Sequence, residues 1–243
     1  MISPSELGEE EGKLVSAGEL DDVRERIEAI RRARGYVLPS HAVLSATYPS
    51  LLSAYEEIFS EMTYRFKVLT PFQKHFVWLL VIGALEARQG EKHVEDFLNA
   101  GGTVQHVECA AALAALVIGA KTLDAIGPSW ESVVPGLSAA ATYFNAIEKL
   151  SATAPRLPSG LLQAGLATAS ACQRSWHRFD DHLIKAKVQN CSDAAICEAL
   201  SIVILPGGNP IFSYAAKRWR NLVQAGTITA SVALRHAFQL IGE

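Results

Sequence analysis

The sequence has no CxxC pair, an absence that limits its redox and metal chemistry. Its four cysteines are Cys109, Cys172, Cys191 and Cys197, and no two of them have the spacing that zinc sites and dithiol redox motifs use. In a reducing compartment such cysteines behave as small buried hydrophobic side chains. We therefore expect no disulfide, no bound metal ion and no thiol redox pair.

Long apolar runs and concentrated positive charge are also missing. The apolar stretch Phe76–Leu85 and the Ala-rich run Cys109–Ala120 are both shorter than the about 20 residues that a membrane-spanning helix needs. The 22 Lys and Arg residues are dispersed, and the net charge is −3, whereas nucleic-acid binding requires a basic surface. We predict neither a membrane span nor a nucleic-acid partner.

The N-terminus lacks the basic and apolar regions of a secretory signal. It contains the acidic run Glu9-Glu10-Glu11 and no hydrophobic periodicity, which is typical of a flexible leader. These features predict a cytoplasmic protein.

Apolar residues are abundant. Hydrophobic residues make up 49% of the chain and charged residues 19%. This balance favours extensive burial, including a subunit interface, so we expect a homo-oligomer.

Apolar residues recur at helical spacing along most of the chain. The signals include a helix over Asp21–Arg34 closed by Gly35, and Thr70 and Thr103 as N-caps of apolar helices. The best strand signal, Ile202–Leu205, follows an Ala-rich segment and is more typical of a helix end. Glycines and prolines predict linkers at 127–136 and 151–160. We predict an all-α fold.

Two segments 89 residues apart carry the same order of signals. Each has a histidine on a predicted helix, then a turn, then a Thr or Ser N-cap and an apolar helix. The histidines are His93 and His182, and the caps are Thr103 and Ser192. The predicted organisation is a flexible leader at 1–18, a first helical unit at 19–150 and a second at 151–243.

The densest polar cluster begins at Ser175 and has the sequence SWHRFDDH. On a helix, Ser175, Arg178 and His182 share one face, while His177 and Asp181 pair at i, i+4 on the neighbouring face. A carboxylate beside an imidazole fixes its tautomer and raises its pKa. This geometry is typical of a histidine general acid or base, with Ser175 as a hydrogen-bond donor to substrate.

The same cluster has two other interpretations. Its charged residues could form a solvated face with incidental histidines. It could also bind a metal, but His177 and His182 lie about 140° apart around a helix, which is unsuited to joint ligation. In the first unit, Glu86 and His93 stand at i, i+7, so they could face each other if Gly90 does not break the helix.

These features together resemble the carboxymuconolactone decarboxylase and alkylhydroperoxidase D-like family. The matching segments are Leu69-Thr70-Pro71-Phe72, His93 with the Asn99–Thr103 turn, and Ser175–His182. Members of the family are all-helical and often oligomeric, and some contain tandem units. The resemblance therefore implies two tandem units of this fold.

The peroxidase branch of the family has a Glu followed by the motif Cys-x-His-Cys-x-x-x-His. These positions fall on Gln163, Ser175, His177, Arg178 and His182. Both histidines are present, whereas Ser175 and Arg178 replace the cysteines. Because a thiolate attacks the peroxide in thiol peroxidases, the resemblance implies that this activity is lost.

The pattern without cysteines is similar to the decarboxylase branch, which implies a cofactor-free lyase acting on a small carboxylated, lactone-like substrate. His177 or His182 would transfer a proton, and Arg178 or Arg174 would bind the carboxylate. The predicted catalytic residues are His177, His182 and Ser175. The predicted substrate-binding residues are Arg178, Arg174, Gln163, Asp181, Trp176, Glu86 and His93.

Two alternatives stay open. One is a non-catalytic helical oligomer or small-ligand-binding protein that has kept the fold and lost the chemistry. The other is peroxidase activity through Cys172, which the absence of a partner cysteine disfavours.

Overall fold

The computed structural model describes residues 17–87, 90–154 and 156–241. Within these ranges the chain forms helices and no strand, so the all-α prediction is confirmed. The helices are α1 (Ala17–Arg34), α2 (Pro39–Thr47), α3 (Pro49–Thr63), α4 (Pro71–Ala84), α5 (Glu91–Asn99), α6 (Val104–Glu131), α7 (Ala139–Ser151), α8 (Ser159–Cys172), α9 (Trp176–Val188), α10 (Asp193–Ser201), α11 (Asn209–Gln224) and α12 (Val232–Leu240). A single 3-10 turn, Ile202–Ile204, follows α10 where the sequence predicted a helix end.

The chain divides into two compact units, with the boundary after Ile58. Residues 19–150 and 151–243 were predicted as separate repeats, but the residues on both sides of position 150 belong to the same compact unit. Of the predicted leader 1–18, residues 1–16 lie outside the described residues. Ala17 and Gly18 already belong to α1.

In the first unit, α1 packs against α2. The last residue of α1, Arg34, is buried and pairs with Glu56 at 2.8 Å. Its guanidinium also lies 3.5 Å from the ring of His41, which is fully buried. Burial, followed by the Arg34 charge, lowers the pKa of His41. A neutral imidazole beside a paired arginine is the stable arrangement in this site.

Helix α8 is at the centre of the second unit. All its residues from Gly160 to Cys172 are buried, and it packs against α4, α6, α9, α10 and α11. It contains no charged residue and is rich in alanine, so no face of it favours solvent. A Cβ on Gly165 would lie 3.0 Å from Leu80 of α4, so the small residue permits this close helix contact.

Helix α6 is longer than the sequence predicted. The linker expected at 127–136 is wrong in its first part, because α6 continues through Gly127 and Pro128 to Glu131. Gly127 is buried, and a Cβ on it would lie 2.7 Å from Ala139 Cβ of α7. The Glu131 carboxylate accepts a hydrogen bond from the backbone N–H of Ala139 at 2.6 Å. Packing against α7 therefore stabilises the helix beyond its proline.

The observed length of α6 also changes the argument that no apolar segment is long enough to cross a membrane. By length and composition alone this helix could cross a bilayer. This is weak evidence, because the core helix of a soluble protein passes the same test. The absence of a membrane span stays a prediction.

Local features recur at the predicted offset of 89 residues. Thr103 accepts a hydrogen bond from the backbone N–H of His106, and Ser192 does the same for Ala195. The preceding turns place Gly101 at φ 88° and Asn190 at φ 61°. Glycine and asparagine adopt this left-handed conformation at the lowest cost. The tandem arrangement itself stays a prediction.

A buried ion pair joins α4 to α10. The Lys74 ammonium lies 3.0 Å from the carboxylate of Glu198. The same carboxylate accepts hydrogen bonds from the backbone N–H groups of Val68 and Leu69 at 2.8 and 3.0 Å. Burial alone would raise the pKa of Glu198, but these hydrogen bonds and the lysine charge outweigh it and lower that pKa.

Replacement of Glu198 by glutamine should destabilise the protein by about 3 kcal/mol, because it leaves a buried ammonium without its counter-charge. Equilibrium urea unfolding would measure this change. Glu61→Gln is the matched control, since Glu61 makes solvent-exposed ion pairs, which contribute little to stability. Equal effects of the two substitutions would contradict the importance of the buried pair.

Candidate functional site

The predicted site lies around the N-terminal half of α9. A tight turn connects α8 to α9, in which Arg174 has φ 53° and Ser175 N–H donates to the Ser170 carbonyl at 3.0 Å. Ser175 is the N-cap residue of α9. Arg174 is exposed, whereas Ser175 is buried.

The shared face of Ser175, Arg178 and His182 is confirmed. All three side chains are buried, and His182 is fully enclosed. His182 contacts Gln163 of α8, whereas Arg178 contacts Asp124 of α6 and the ring of Tyr143 in α7. This face is therefore internal, and its polar atoms require partners from neighbouring helices.

His182 has a hydrogen-bond partner at each ring nitrogen. Its Nδ1 donates to the Gln163 side-chain carbonyl of α8 at 2.7 Å. Because that carbonyl oxygen only accepts, Nδ1 carries the proton. Nε2 then accepts from the Tyr143 hydroxyl of α7 at 2.9 Å. The relay Gln163–His182–Tyr143 thus fixes one neutral tautomer.

The surroundings of His182 oppose its protonation. Burial, with smaller contributions from the charges of Arg178 and Lys185, lowers its pKa to about 3. Burial also raises the pKa of Tyr143, so this hydroxyl stays a donor. His182 is consequently neutral and engaged at both nitrogens at physiological pH, which is unsuited to a direct general acid or base.

Arg178 is paired within the protein. Its guanidinium contacts Asp124 of α6 and lies 3.5 Å from Asp181. It also lies over the ring of Tyr143, 4.7 Å from the centroid. These partners occupy the two terminal nitrogens of the guanidinium, and its Nε atom is buried, so the geometry disfavours the predicted role of Arg178 as a substrate clamp.

The ionic partner of His177 differs from the predicted one. His177 Nε2 lies 2.8 Å from the carboxylate of Asp124, and no such contact joins it to Asp181. The predicted i, i+4 pair is wrong because Asp181 turns toward Arg178, while α6 brings Asp124 to the imidazole. The His177 side chain is 57% exposed. It is an accessible imidazole beside a carboxylate.

Trp176 lies on another side of α9. Its ring centroid is 4.3 Å from that of Tyr214 in α11. The neighbouring Asp180 of α9 pairs with Arg218, which also lies in α11. Trp176 therefore contributes to the packing of α9 on α11, and its predicted contact with substrate stays a prediction.

Glu86 and His93 do not lie on one helix. Helix α4 ends at Ala84, Glu86 is exposed with φ 53°, and α5 begins at Glu91. His93 is buried with its ring stacked on Trp78, the centroids 4.2 Å apart. The predicted pairing of Glu86 with His93 required one unbroken helix through Gly90. Because these residues lie on separate segments, the pairing has no structural basis.

The cysteines and other metal-ligating side chains are dispersed. Cys172 is buried, and burial raises the pKa of its thiol to about 12. Such a thiol is protonated at neutral pH and is a poor nucleophile. Among residues 17–87, 90–154 and 156–241, no three His, Cys, Asp or Glu side chains form a group that could hold a metal ion.

Sequence reasoning missed Asp124 and Tyr143. Both lie outside the polar cluster, on α6 and α7, and Tyr143 is 39 residues from His182. Tyr143 occupies an apolar position of a predicted helix, a pattern that identifies a core residue but not its hydrogen-bond partner. Only the packing of the helices brings these groups together.

Replacement of His182 by glutamine should flatten the dependence of stability on acid pH. The pKa of His182 is 6.5 in the unfolded chain and about 3 in the folded protein, so the unfolded state holds one more proton between these values. The folded protein should therefore lose up to about 1.4 kcal/mol per pH unit as the pH falls through this window.

Urea unfolding of wild type and His182→Gln from pH 6.5 downward would measure this difference. The exposed His236→Gln is the control and should keep the wild-type slope. Identical slopes in wild type and His182→Gln would show that His182 is not held neutral.

Comparisons of the chain with family models, curated proteins and solved structures found no match. The resemblance to the carboxymuconolactone decarboxylase and alkylhydroperoxidase D-like family rests on the motif residues and stays a prediction.

Proposed function

We propose that this protein is a cofactor-independent lyase, similar to carboxymuconolactone decarboxylases, that acts on a small carboxylated, lactone-like substrate. The observation that supports it is the pairing of the exposed His177 with Asp124 at 2.8 Å. In this proposal His177, and not the enclosed His182, is the group that transfers a proton.

Asp124 has two tasks in this arrangement. Its carboxylate contacts both His177 and Arg178. The negative charge of this carboxylate beside His177 stabilises the imidazolium that forms during proton transfer. The buried Arg178 fixes the carboxylate in turn, since its guanidinium is held over Tyr143. The pair of His177 and Asp124, called the dyad below, is therefore anchored through Arg178 although the ring of His177 is exposed.

The reaction requires one proton and no redox step. The bond between the substrate carbon and its carboxylate breaks, CO₂ leaves, and the electron pair passes to the carbon framework conjugated with the lactone carbonyl. The protonated His177 donates its proton to that framework and regains one from solvent. The exposed Arg174 is the cation available to bind a second anionic group of the substrate.

Four of the other predicted residues, Gln163, Ser175, Asp181 and His182, support the position of α9. Gln163, His182 and Tyr143 form a closed buried relay beneath α9. Ser175 begins this helix, and Asp181 pairs with Arg178. Burial raises the pKa of Asp181, so its proton affinity is higher than that of an ordinary aspartate. These residues determine where His177 lies.

A second candidate function is a non-catalytic small-ligand-binding protein. The complete pairing of His182 favours it, because a relay with no open nitrogen stabilises the fold without chemistry. For both candidate functions, a cytoplasmic location and a homo-oligomeric state stay predictions.

His177→Ala should reduce decarboxylation at least about a hundredfold, because it removes the proton donor. The assay is release of CO₂ from carboxymuconolactone and related carboxylated lactones, followed as a function of pH. His236→Ala is the control for loss of an exposed histidine and should keep full activity. Asp124→Asn should lower kcat and should also lower the free energy of unfolding, since it removes the counter-charge of the buried Arg178.

The two candidates give different results. Turnover that is lost in His177→Ala supports the lyase. Saturable binding without turnover, equal in wild type and His177→Ala, would overturn it in favour of the ligand-binding protein.

A further inference from the structure

A cleft of about 350 Å³ lies between the end of α3, the segment 65–68 and α10. It does not include any residue of the His177 site. Its lining residues are Glu61, Met62, Arg65, Lys67, Val68, Lys74, Ala194, Cys197, Glu198 and Ser201. A cleft of this size can enclose a small organic molecule.

The floor of the cleft is the buried pair of Lys74 and Glu198. The Lys74 ammonium also donates to the backbone carbonyls of Arg65 and Glu61, at 2.7 and 3.5 Å. The Glu198 carboxylate is occupied by Lys74 and by backbone N–H groups. The floor is therefore rigid and internally neutralised, and it leaves no strong charge for a ligand to meet there.

The mouth of the cleft differs from its floor because its charged side chains are exposed. Arg65 and Lys67 are largely exposed, and both pair with the one carboxylate of Glu61. Such surface pairs are weak and exchange readily with other anions. Together the lining groups carry three positive and two negative charges, whereas the whole chain has a net charge of −3. The mouth is thus a locally cationic region on an acidic protein.

The walls between mouth and floor are mainly apolar. They include the side chains of Met62, Val68 and Ala194. Val68 is 48% exposed although it is a large aliphatic residue. Apolar walls with charged groups at one end are the usual construction of a site for an amphipathic molecule.

We propose that this cleft binds a small organic anion that consists of one carboxylate and a short hydrocarbon body. The carboxylate lies at the mouth between Arg65 and Lys67, where it takes the place of Glu61. The hydrocarbon body lies along Met62, Val68 and Ala194, above the ion pair. This site is separate from the His177 dyad and does not depend on the lyase activity.

Cys197 provides a direct measure of occupancy. It lines the cleft and is exposed, whereas Cys109, Cys172 and Cys191 are buried. The rate of its alkylation in the native full-length protein should fall as the cleft fills. Cys197→Ser identifies the signal, because this variant should lose the fast-reacting thiol.

Octanoate is the probe, and 1-octanol is the neutral control of the same chain length. Octanoate should slow alkylation of Cys197 at least fivefold with saturable dependence, and more salt should weaken the effect. Octanol should protect much less. Absence of protection by octanoate, or equal protection by the two compounds, would overturn the proposal.

Two variants test where the carboxylate and the hydrocarbon body of octanoate bind. Arg65→Ala/Lys67→Ala should raise the dissociation constant of octanoate about fivefold to tenfold, since two exposed charge contacts are lost. The control Arg24→Ala/Lys217→Ala removes two exposed cations elsewhere and should leave it unchanged. Ala194→Trp should fill the cleft and prevent binding. Unaltered affinity in the Arg65/Lys67 variant or in Ala194→Trp would place octanoate elsewhere and refute the site.

Discussion

Helix α8 contains no charged side chain, and the helices around it bury it on every side. A helix that is apolar all round is stable in water only when it is fully covered. The covering helices are α4, α6, α9, α10 and α11. Their contact with α8 determines where they lie. The removal of α8 from water is the constraint on which the rest of the second unit depends.

This burial explains the state of the candidate site. The inner face of α9 carries Ser175, Arg178 and His182, and all three are buried. Most polar groups in such surroundings are paired, although the Ser175 Oγ and Arg178 Nε atoms have no hydrogen-bond partner. Gln163 of α8 and Tyr143 of α7 meet the two nitrogens of His182. His177 lies on the outer face of α9 and keeps an accessible ring.

Two ionic arrangements with buried cations in the second unit follow the same physical rule. Arg178 and Lys74 are both buried cations, and each is held by a carboxylate from a different helix. A buried charge without such a partner would have a large desolvation cost. Asp124 extends from its arginine to an exposed histidine, whereas Glu198 extends from its lysine to the backbone of the segment before α4. One arrangement lies beside the exposed imidazole of His177, and the other forms the rigid floor of a cleft.

The sequence by itself determined the helical class and many helix ends, because these depend on contacts within about four residues. Thr70, Thr103 and Ser192 are N-caps that hydrogen-bond the backbone three residues further on. The shared face of Ser175, Arg178 and His182 was predictable for the same reason.

Only the tertiary structure decided which groups these faces meet. Asp124 replaced Asp181 as the partner of His177, and Tyr143 was unforeseen, because the packing of α6 and α7 brings distant residues together. The continuation of α6 through Pro128 also depends on its contact with α7. Local periodicity carries no information about such contacts, since they arise from how whole helices cover one another.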